Sequence, residues 1–156
     1  MPVDKITLAS QTKAIFGEIP VYGQYTYGLA GEKFFRAIKD NGKLLAVKCN
    51  NCNLIYLPPR IYCERCFDEL KDWVEAPNIG TVHTFCLANR DLAGNALEKP
   101  IVVAMVKIEG FHGGLVHFMG EIEPEAVKIG MPIEIVFKPK NLRIGSIADI
   151  KYWKPI

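Results

Sequence analysis

The sequence has no long hydrophobic run, no leading apolar segment and no large excess of either charge. Its longest apolar run, Ile101 to Val106, is far shorter than the roughly 20 residues that cross a bilayer. Residues 1–13 mix charged and polar side chains, which argues against a secretory signal. With 19 Lys and Arg against 17 Asp and Glu, the net charge of +2 lacks the basic excess of dedicated nucleic-acid-binding proteins. We therefore expect a cytoplasmic protein with no membrane span.

The length of 156 residues allows one domain, or one domain with a small appended module. After Lys71 the chain becomes a series of short runs rich in β-branched and aromatic residues, separated by Gly, Pro and Asn. These runs span residues 81–88, 100–108, 115–121, 133–137 and 147–153. Five such strands predict a C-terminal OB-fold barrel, although a β-sandwich has a similar pattern.

The first 42 residues lack this pattern of short strands. Residues 1–29 are irregular and contain three tyrosines, Tyr22, Tyr25 and Tyr27, so we expect an extended arm that needs a surface to lie on. Residues 30–41 place Phe34, Phe35 and Ile38 on one side of a helical period, and Gly42 follows as a C-cap. The sequence therefore predicts an N-terminal amphipathic helix, whose apolar stripe packs either on the protein's own ribbon or on a partner.

Four of the five cysteines have the spacing of a metal site. Cys49 and Cys52 are followed, after ten residues, by Cys63 and Cys66. Two such pairs predict tetrahedral coordination in a rubredoxin-like zinc ribbon over residues 43–73. Four thiolates complete the coordination shell of zinc, so we expect one structural ion with no open position for substrate. Iron bound in the same way, and four buried cysteines with no metal, are the alternatives.

The remaining candidate catalytic side chains lack partners in the sequence. Cys86 lies in a predicted strand at an odd separation from His83, and we expect it to be a small buried apolar residue. His112 is predicted on a hairpin turn and His117 in a strand. None of them has a nucleophile, base and orienting group at a meaningful spacing, so we expect no catalytic residues.

Taken in order, these motifs resemble a known family. They are the helix with Phe34-Phe35-Arg36-Ala37-Ile38, the two cysteine pairs around Ile55-Tyr56-Leu57-Pro58-Pro59-Arg60, and the later segments at 102–106 and 127–137. Together they are similar to the acyl-CoA-associated proteins that join a zinc ribbon to an OB-fold, long catalogued as a domain of unknown function. The resemblance covers roughly residues 30–140. The arm before residue 30 and the tail after residue 140 lie outside it. From the sequence pattern we expect an arm and helix over 1–42, a zinc ribbon over 43–73 and an OB-fold domain over 74–156.

The resemblance also implies a function. Members of this family, including those of archaeal type, are non-catalytic partners of thiolase-superfamily enzymes. The archaeal members join acetoacetyl-CoA thiolase to hydroxymethylglutaryl-CoA synthase in the early mevalonate pathway and help to hold or channel the CoA thioester, and the resemblance implies the same role here. Cys49, Cys52, Cys63 and Cys66 match the metal ligands of the family. Asn53 and Phe67 stand where a glycine often follows each cysteine pair; Asn53 suits a left-handed turn and Phe67 does not.

Residues 138–156 carry five cations against one acidic residue. We expect part of this set, together with Arg60, to contact CoA phosphates, through Lys138, Lys140 and Arg143. A solvated basic edge is the simpler alternative. Two other functions stay open from the sequence: a zinc-ribbon OB-fold module for single-stranded nucleic acid, and a thioesterase that uses His117 or Cys86. The tyrosine-rich arm predicts contact with a partner or self-association.

Overall fold

The computed structural model describes residues 17, 23, 25–91 and 93–156, and Tyr22 of the predicted arm lies outside them. These residues form one helix, nine strands and three short 3-10 turns. In chain order the helix and strands are α1 (Gly28–Asn41), β1 (Leu44–Lys48), β2 (Ile55–Leu57), β3 (Asp72–Ala76), β4 (Ile79–Arg90), β5 (Ala96–Lys107), β6 (His112–Gly113), β7 (Leu115–Phe118), β8 (Pro132–Phe137) and β9 (Ile150–Pro155). The 3-10 turns span Pro124–Ala126, Lys140–Leu142 and Ile147–Asp149. The prediction of a mainly β fold with an N-terminal helix is confirmed.

Helix α1 begins two residues before the predicted start and ends where the sequence predicts. Gly42 takes the left-handed conformation at φ +64°, and its N–H donates to the Ile38 carbonyl at 3.0 Å, as in a glycine C-cap. Phe34 and Ile38 are buried in the protein's own core, while Phe35 packs at its edge. The apolar stripe of the helix is therefore used within the chain.

The first sheet has the strand order β3-β1-β2-β6 and carries the ribbon. β1 pairs antiparallel with both β2 and β3, and β6 adds in parallel through Tyr56 and His112. The prediction of a hairpin turn at His112 is wrong, because this residue lies in a strand beside β2. Gly113 permits this pairing, since a Cβ atom there would lie 2.3 Å from the Leu57 carbonyl oxygen.

The second sheet has the order β7-β5-β4-β8-β9, and a parallel bridge between Met119 and Trp153 brings its two edges together. This five-stranded arrangement confirms the predicted OB-fold. The last strand starts at Ile150 instead of residue 147 because the chain first forms a 3-10 turn. Ser146 caps that turn: its hydroxyl accepts the Ala148 N–H at 3.1 Å, while Asp149 bonds back to the Ser146 N–H.

A β-bulge in β4 decides which side chains of that strand face inward. The register shifts between Val82 and Thr84, so the inward positions change from Val82 to Phe85. Cys86 then lies opposite Val103 on the outer face and is exposed. The prediction of a buried Cys86 is wrong for this reason, since uninterrupted alternation from Val82 would have turned it inward.

One hydrophobic core joins the helix, the ribbon sheet and the barrel. It contains buried residues from all three parts, among them Phe34, Ile38, Leu44, Ala46, Leu57, Val82, Val106, Ile133 and Trp153. A second, smaller cluster surrounds the cysteines and contains Val47, Tyr56 and Leu70. In the part of the chain described here, no helix has the length and apolarity needed to cross a membrane.

Candidate functional site

The four ribbon cysteines converge on one point. Cys49 and Cys52 follow β1, Cys63 and Cys66 follow β2, and the four Sγ atoms all lie within 4.8 Å of one another. The Sγ atoms of Cys49 and Cys66 are 3.5 Å apart, and those of Cys52 and Cys63 are 3.9 Å apart. A zinc ion with four sulfur ligands at about 2.3 Å requires a tetrahedron with edges of about 3.8 Å. The side chains therefore fit one zinc ion, with all four positions filled by protein.

Both cysteine pairs are closed by the same turn. Asn53 and Phe67 follow Cys52 and Cys66 and take left-handed conformations, at φ +56° and +62°. These turns let the Cys49 N–H donate to the Leu54 carbonyl at 2.8 Å, and the Cys63 N–H donate to the Asp68 carbonyl at 2.9 Å. Phe67 therefore adopts the conformation for which its residue type is poorly suited.

Tyr56 and Arg60 surround the thiolates with hydrogen-bonding and positive groups. The Tyr56 hydroxyl lies 3.2 Å from Cys63 Sγ and donates to it when the sulfur is a thiolate. This hydrogen bond and burial raise the pKa of Tyr56 to about 12, so the hydroxyl keeps its proton. The Arg60 guanidinium stacks over the Tyr56 ring at 4.5 Å and also pairs with Glu64. Arg60 is thus a cation close to a centre with excess negative charge.

Two apolar cavities are lined in part by β7 and share one lining residue. One, of about 460 Å³, is lined by residues of α1, by Pro58 to Ile61 and by Leu115. The other, of about 440 Å³, is lined by Val116 to Phe118 of β7, Val103 of β5, and Lys138, Ala148, Ile150 and Lys151. Ile147 lines both. We call the two together the Ile147 groove; Arg60 lines the first cavity, and Lys138 and Lys151 line the second.

His117 lies in the wall of this groove and is almost fully buried. Its Nε2 atom is 3.3 Å from the Ile147 carbonyl oxygen. Burial lowers the pKa of His117, and the bond to the carbonyl only partly opposes that effect. The ring is therefore neutral at pH 7 and donates through Nε2, and among the described residues it has no hydrogen bond to a nucleophile or a carboxylate.

The predicted phosphate-binding cations are only partly brought together. Arg60 and Lys138 line different cavities of the Ile147 groove, and Lys140 is exposed in the turn Lys140–Leu142. The Arg143 guanidinium makes hydrogen bonds within the fold. Its Nε donates to the Lys138 carbonyl at 2.6 Å, and its Nη1 donates to the Ile38 carbonyl at 3.3 Å. Lys151 was absent from the predicted set, although it belongs to the same run of cations.

Part of the outer face of the second sheet is uncharged. Where β7 pairs with β5 and β5 pairs with β4, eight outward side chains carry no charge, and the exposed Lys107 follows Met105 on the same face of β5. The eight are Val116 and Phe118, Ile101, Val103 and Met105, and Thr84, Cys86 and Ala88. Val116 is 62% exposed and Phe118 50% exposed. We call these eight residues the outer sheet face; a neutral patch of this kind is typical of a protein interface.

Fold and metal site together define a class of protein: a closed metal-binding ribbon joined to an OB-fold. Family models give the same two parts, since residues 36–71 match the ChsH2 rubredoxin-like zinc ribbon domain. Residues 73–138 match the ChsH2 C-terminal OB-fold domain. The zinc ribbon is confirmed, and zinc is the metal that its ligand set and its family indicate.

Curated relatives and solved structures that resemble this chain carry the same family description. A DUF35 domain-containing scaffold protein of Methanocaldococcus jannaschii is 33% identical over 114 residues, covering 67% of this chain and 74% of the relative. A scaffold protein of the same description from Methanothermobacter thermautotrophicus is 28% identical over 120 residues, covering 76% and 88%. A DUF35 crystal structure from Sulfolobus solfataricus has a TM-score of 0.67 at 28% identity, covering 83% and 87%. An Ltp2-ChsH2(DUF35) aldolase structure has a TM-score of 0.60 at 26% identity, covering 79% and 91%. The chain belongs to the DUF35 family.

Proposed function

We propose that this protein is a non-catalytic scaffold that binds a thiolase-superfamily enzyme and helps to hold or channel its CoA thioester. The enzymes proposed as partners are acetoacetyl-CoA thiolase and hydroxymethylglutaryl-CoA synthase of the mevalonate pathway. The observation that carries the proposal is the outer sheet face, where Val116 and Phe118 are exposed beside other uncharged side chains. Exposed aromatic and aliphatic residues of this kind stabilise protein complexes when a partner covers them.

The chemistry of the described side chains supports a role without catalysis. A metal held by four thiolates has no position for water or substrate. The His117 ring donates its hydrogen bond to the backbone carbonyl of Ile147, and Cys86 lies on the outer sheet face. The curated relatives are described as scaffold proteins, and the solved aldolase is described as a pairing of a DUF35 chain with Ltp2. A pairing of this kind is what we propose for this chain.

The Ile147 groove supports the binding of a CoA thioester. The ligand is an anion at its nucleotide end and apolar along much of its arm, so it requires cations beside apolar walls. Lys138 and Lys151 line one apolar cavity of the groove, and Arg60 lines the other. We propose that Lys138 and Lys151, with Lys140 beside them, contact the phosphates, and that Arg143 holds the loop that carries Lys138.

Association with an enzyme is tested by co-purification followed by measurement with purified components. A tagged chain is isolated from its native cell, the associated enzyme is identified by mass spectrometry, and the complex is rebuilt for titration calorimetry. Val116→Glu with Phe118→Glu should abolish binding, because two charges would be buried without partners. Ile129→Glu is the matched control, since Ile129 is 69% exposed and lies outside the outer sheet face. Absence of any thiolase-superfamily enzyme, or acyl-CoA turnover by the chain alone, would contradict the proposal.

Binding of the thioester is tested by titration with acetyl-CoA, with and without the enzyme. Lys138→Ala with Lys151→Ala should weaken binding by about tenfold or more, since charge-assisted hydrogen bonds to phosphate are lost. Lys128→Ala is the control, because Lys128 is exposed and does not line the groove. Equal affinity of the wild type and the double variant would remove these lysines from the site and leave the enzyme association untouched.

The N-terminal arm is proposed as a second contact, with a partner or with another copy of the chain. Tyr25 and Tyr27 are exposed where the described chain begins, and the Tyr27 ring meets Phe35 at 5.4 Å. Removal of residues 1–27 takes away both tyrosines and leaves every residue of α1 in the chain. Loss of complex or dimer in size-exclusion chromatography is the expected result, and unchanged assembly of the truncated chain would dispose of the arm's role.

A further inference from the structure

Three residues other than glycine take a left-handed backbone conformation in the described part of the chain: Asn53, Phe67 and Glu121. For most residue types this conformation costs roughly 1–2 kcal/mol, with Asn among the exceptions. Asn53 is therefore a residue type that adopts the left-handed conformation at little cost. Glu121 gains a compensating contact, because its carboxylate accepts a hydrogen bond from the Tyr152 hydroxyl at 2.5 Å. Phe67 has neither advantage.

The Phe67 side chain contributes little to the fold. It is 77% exposed and belongs to neither hydrophobic cluster. It also takes no part in the aromatic pairs or cation–π contacts found among the described residues. The turn itself needs only the backbone, since the Phe67 N–H donates to the Cys63 carbonyl at 3.0 Å. A glycine would make the same turn without strain, so a bulky aromatic here is not explained by the stability of the chain.

The charges around Phe67 favour a protein partner over a polyanion. Arg60 pairs with Glu64, and Lys71 with Glu69, so these four charges cancel within the ribbon. Arg65 and Asp68 are exposed on either side of Phe67 and have opposite signs. The tip of the second cysteine turn therefore presents an aromatic ring with no basic excess among the charged side chains around it. A nucleic-acid surface would require a basic excess at this place.

We propose that Phe67 is a partner-contact residue, which inserts its ring into an apolar pocket of the enzyme that the scaffold binds. The metal site makes this contact rigid: the ring projects from a turn that directly follows the ligand Cys66, so little conformational freedom is lost on binding. Strained residues concentrate at functional sites, where the surrounding structure enforces them. This inference rests on the proposed function, because it names a contact within the same complex.

The test compares the two cysteine turns in the zinc-loaded full chain. Phe67→Gly and Phe67→Asn remove the ring and relieve the backbone, and Asn53→Gly makes the matched change in the first turn. Affinity is measured by calorimetry against the thiolase-superfamily enzyme identified by co-purification. We expect both Phe67 variants to bind about tenfold or more weakly, as for a buried aromatic anchor, and Asn53→Gly to bind as the wild type does. Their zinc content and thermal midpoints should equal or exceed those of the wild type, which separates a lost contact from a damaged ribbon.

The outcomes separate the inference from the proposed function. Wild-type affinity in both Phe67 variants would overturn the inference and leave the scaffold role standing. Failure of the wild type to bind the enzyme would overturn both. A single-stranded oligonucleotide that binds the wild type but not Phe67→Asn, with enzyme binding unchanged, would assign the ring to base stacking and overturn the protein contact. Reduced zinc content in both variants would make Phe67 a structural residue and would also overturn the inference.

Discussion

Arg143 joins two parts of the chain that are 105 residues apart: its Nη1 donates a hydrogen bond to the carbonyl of Ile38, at the end of α1, at 3.3 Å. The same guanidinium donates through Nε to the Lys138 carbonyl at 2.6 Å and stacks on Phe137. A cation at the C-terminal end of a helix also interacts favourably with the helix dipole. One side chain therefore ties the helix to the loop that borders the Ile147 groove.

Replacement of Arg143 should destabilise the protein without directly removing a ligand contact. We expect Arg143→Ala to lower the free energy of unfolding by about 2 kcal/mol, because two hydrogen bonds to a charged donor are lost. Arg143→Lys should lose most of the same stability although it keeps the charge, since an ammonium cannot reproduce the planar fork. Denaturant unfolding measures both. Lys140→Ala is the control, because Lys140 is exposed. A free energy of unfolding in Arg143→Ala equal to that of the wild type would contradict the structural role of Arg143.

Removal of the metal should unfold the ribbon before the barrel. The small cluster of Val47, Tyr56 and Leu70 is built around the cysteines, and four unscreened thiolates would repel one another. We expect a chelator, or Cys63→Ser, to abolish zinc binding and to shift Trp73 fluorescence to longer wavelength. Trp153 is buried in the barrel core, so a Trp153→Phe background isolates the signal. An unchanged Trp73 spectrum after complete removal of zinc would contradict this order of events.

Loss of the Tyr56 hydroxyl should weaken metal binding while the fold persists. The hydroxyl donates to Cys63 Sγ, and groups of this kind typically contribute about tenfold or more in metal affinity. We expect that loss in Tyr56→Phe, measured by competition with a chromogenic zinc chelator. Tyr62→Phe is the control because Tyr62 is exposed on the same ribbon. Equal zinc affinities of all three proteins would show that the hydrogen bond has no effect on the metal.

Stability should fall as the pH drops below about 6.5, the ordinary pKa of histidine. Burial lowers the pKa of His117 in the folded state, so the unfolded chain binds the proton more tightly. The contribution of neutral His117 is therefore complete above the unfolded pKa and is lost as the pH falls toward the folded one, with a slope of at most about 1.4 kcal/mol per pH unit. Denaturant unfolding between pH 7.5 and pH 5 measures it.

The control for this pH dependence is a second histidine. His117→Gln should flatten the slope in that range, and His112→Gln is the matched substitution at an exposed residue on the edge of the ribbon sheet. The same slope in His117→Gln as in the wild type would show that another group binds the proton. Asp149 affects stability at lower pH than His117. Burial opposes the ionisation of its carboxyl group, but the backbone N–H groups of Ile144, Gly145 and Ser146 donate hydrogen bonds to the carboxylate. These bonds outweigh burial and hold the pKa of Asp149 below its usual value.

The sequence predicted the structure correctly wherever the interactions that decide it join residues close together in the chain. The spacing of Cys49, Cys52, Cys63 and Cys66 alone predicts the metal site, because each pair binds through one short turn. The helical period over α1 and the runs of β-branched residues likewise predict the element types, since burial of one face depends on period. The resemblance to a ribbon and OB-fold family then supplies the order of the two modules.

Positions that depend on distant parts of the chain were decided only by the tertiary structure. The bulge after Val82 exposes Cys86, because a shift of one residue exchanges the two faces of a strand. Arg143 looked like a free cation in the sequence, yet it binds a helix end formed more than 100 residues earlier. The sequence by itself thus determined the metal ligands and the fold class through short-range spacing. Strand register and long-range contacts decided which cations and which apolar residues remain available to a ligand or a partner.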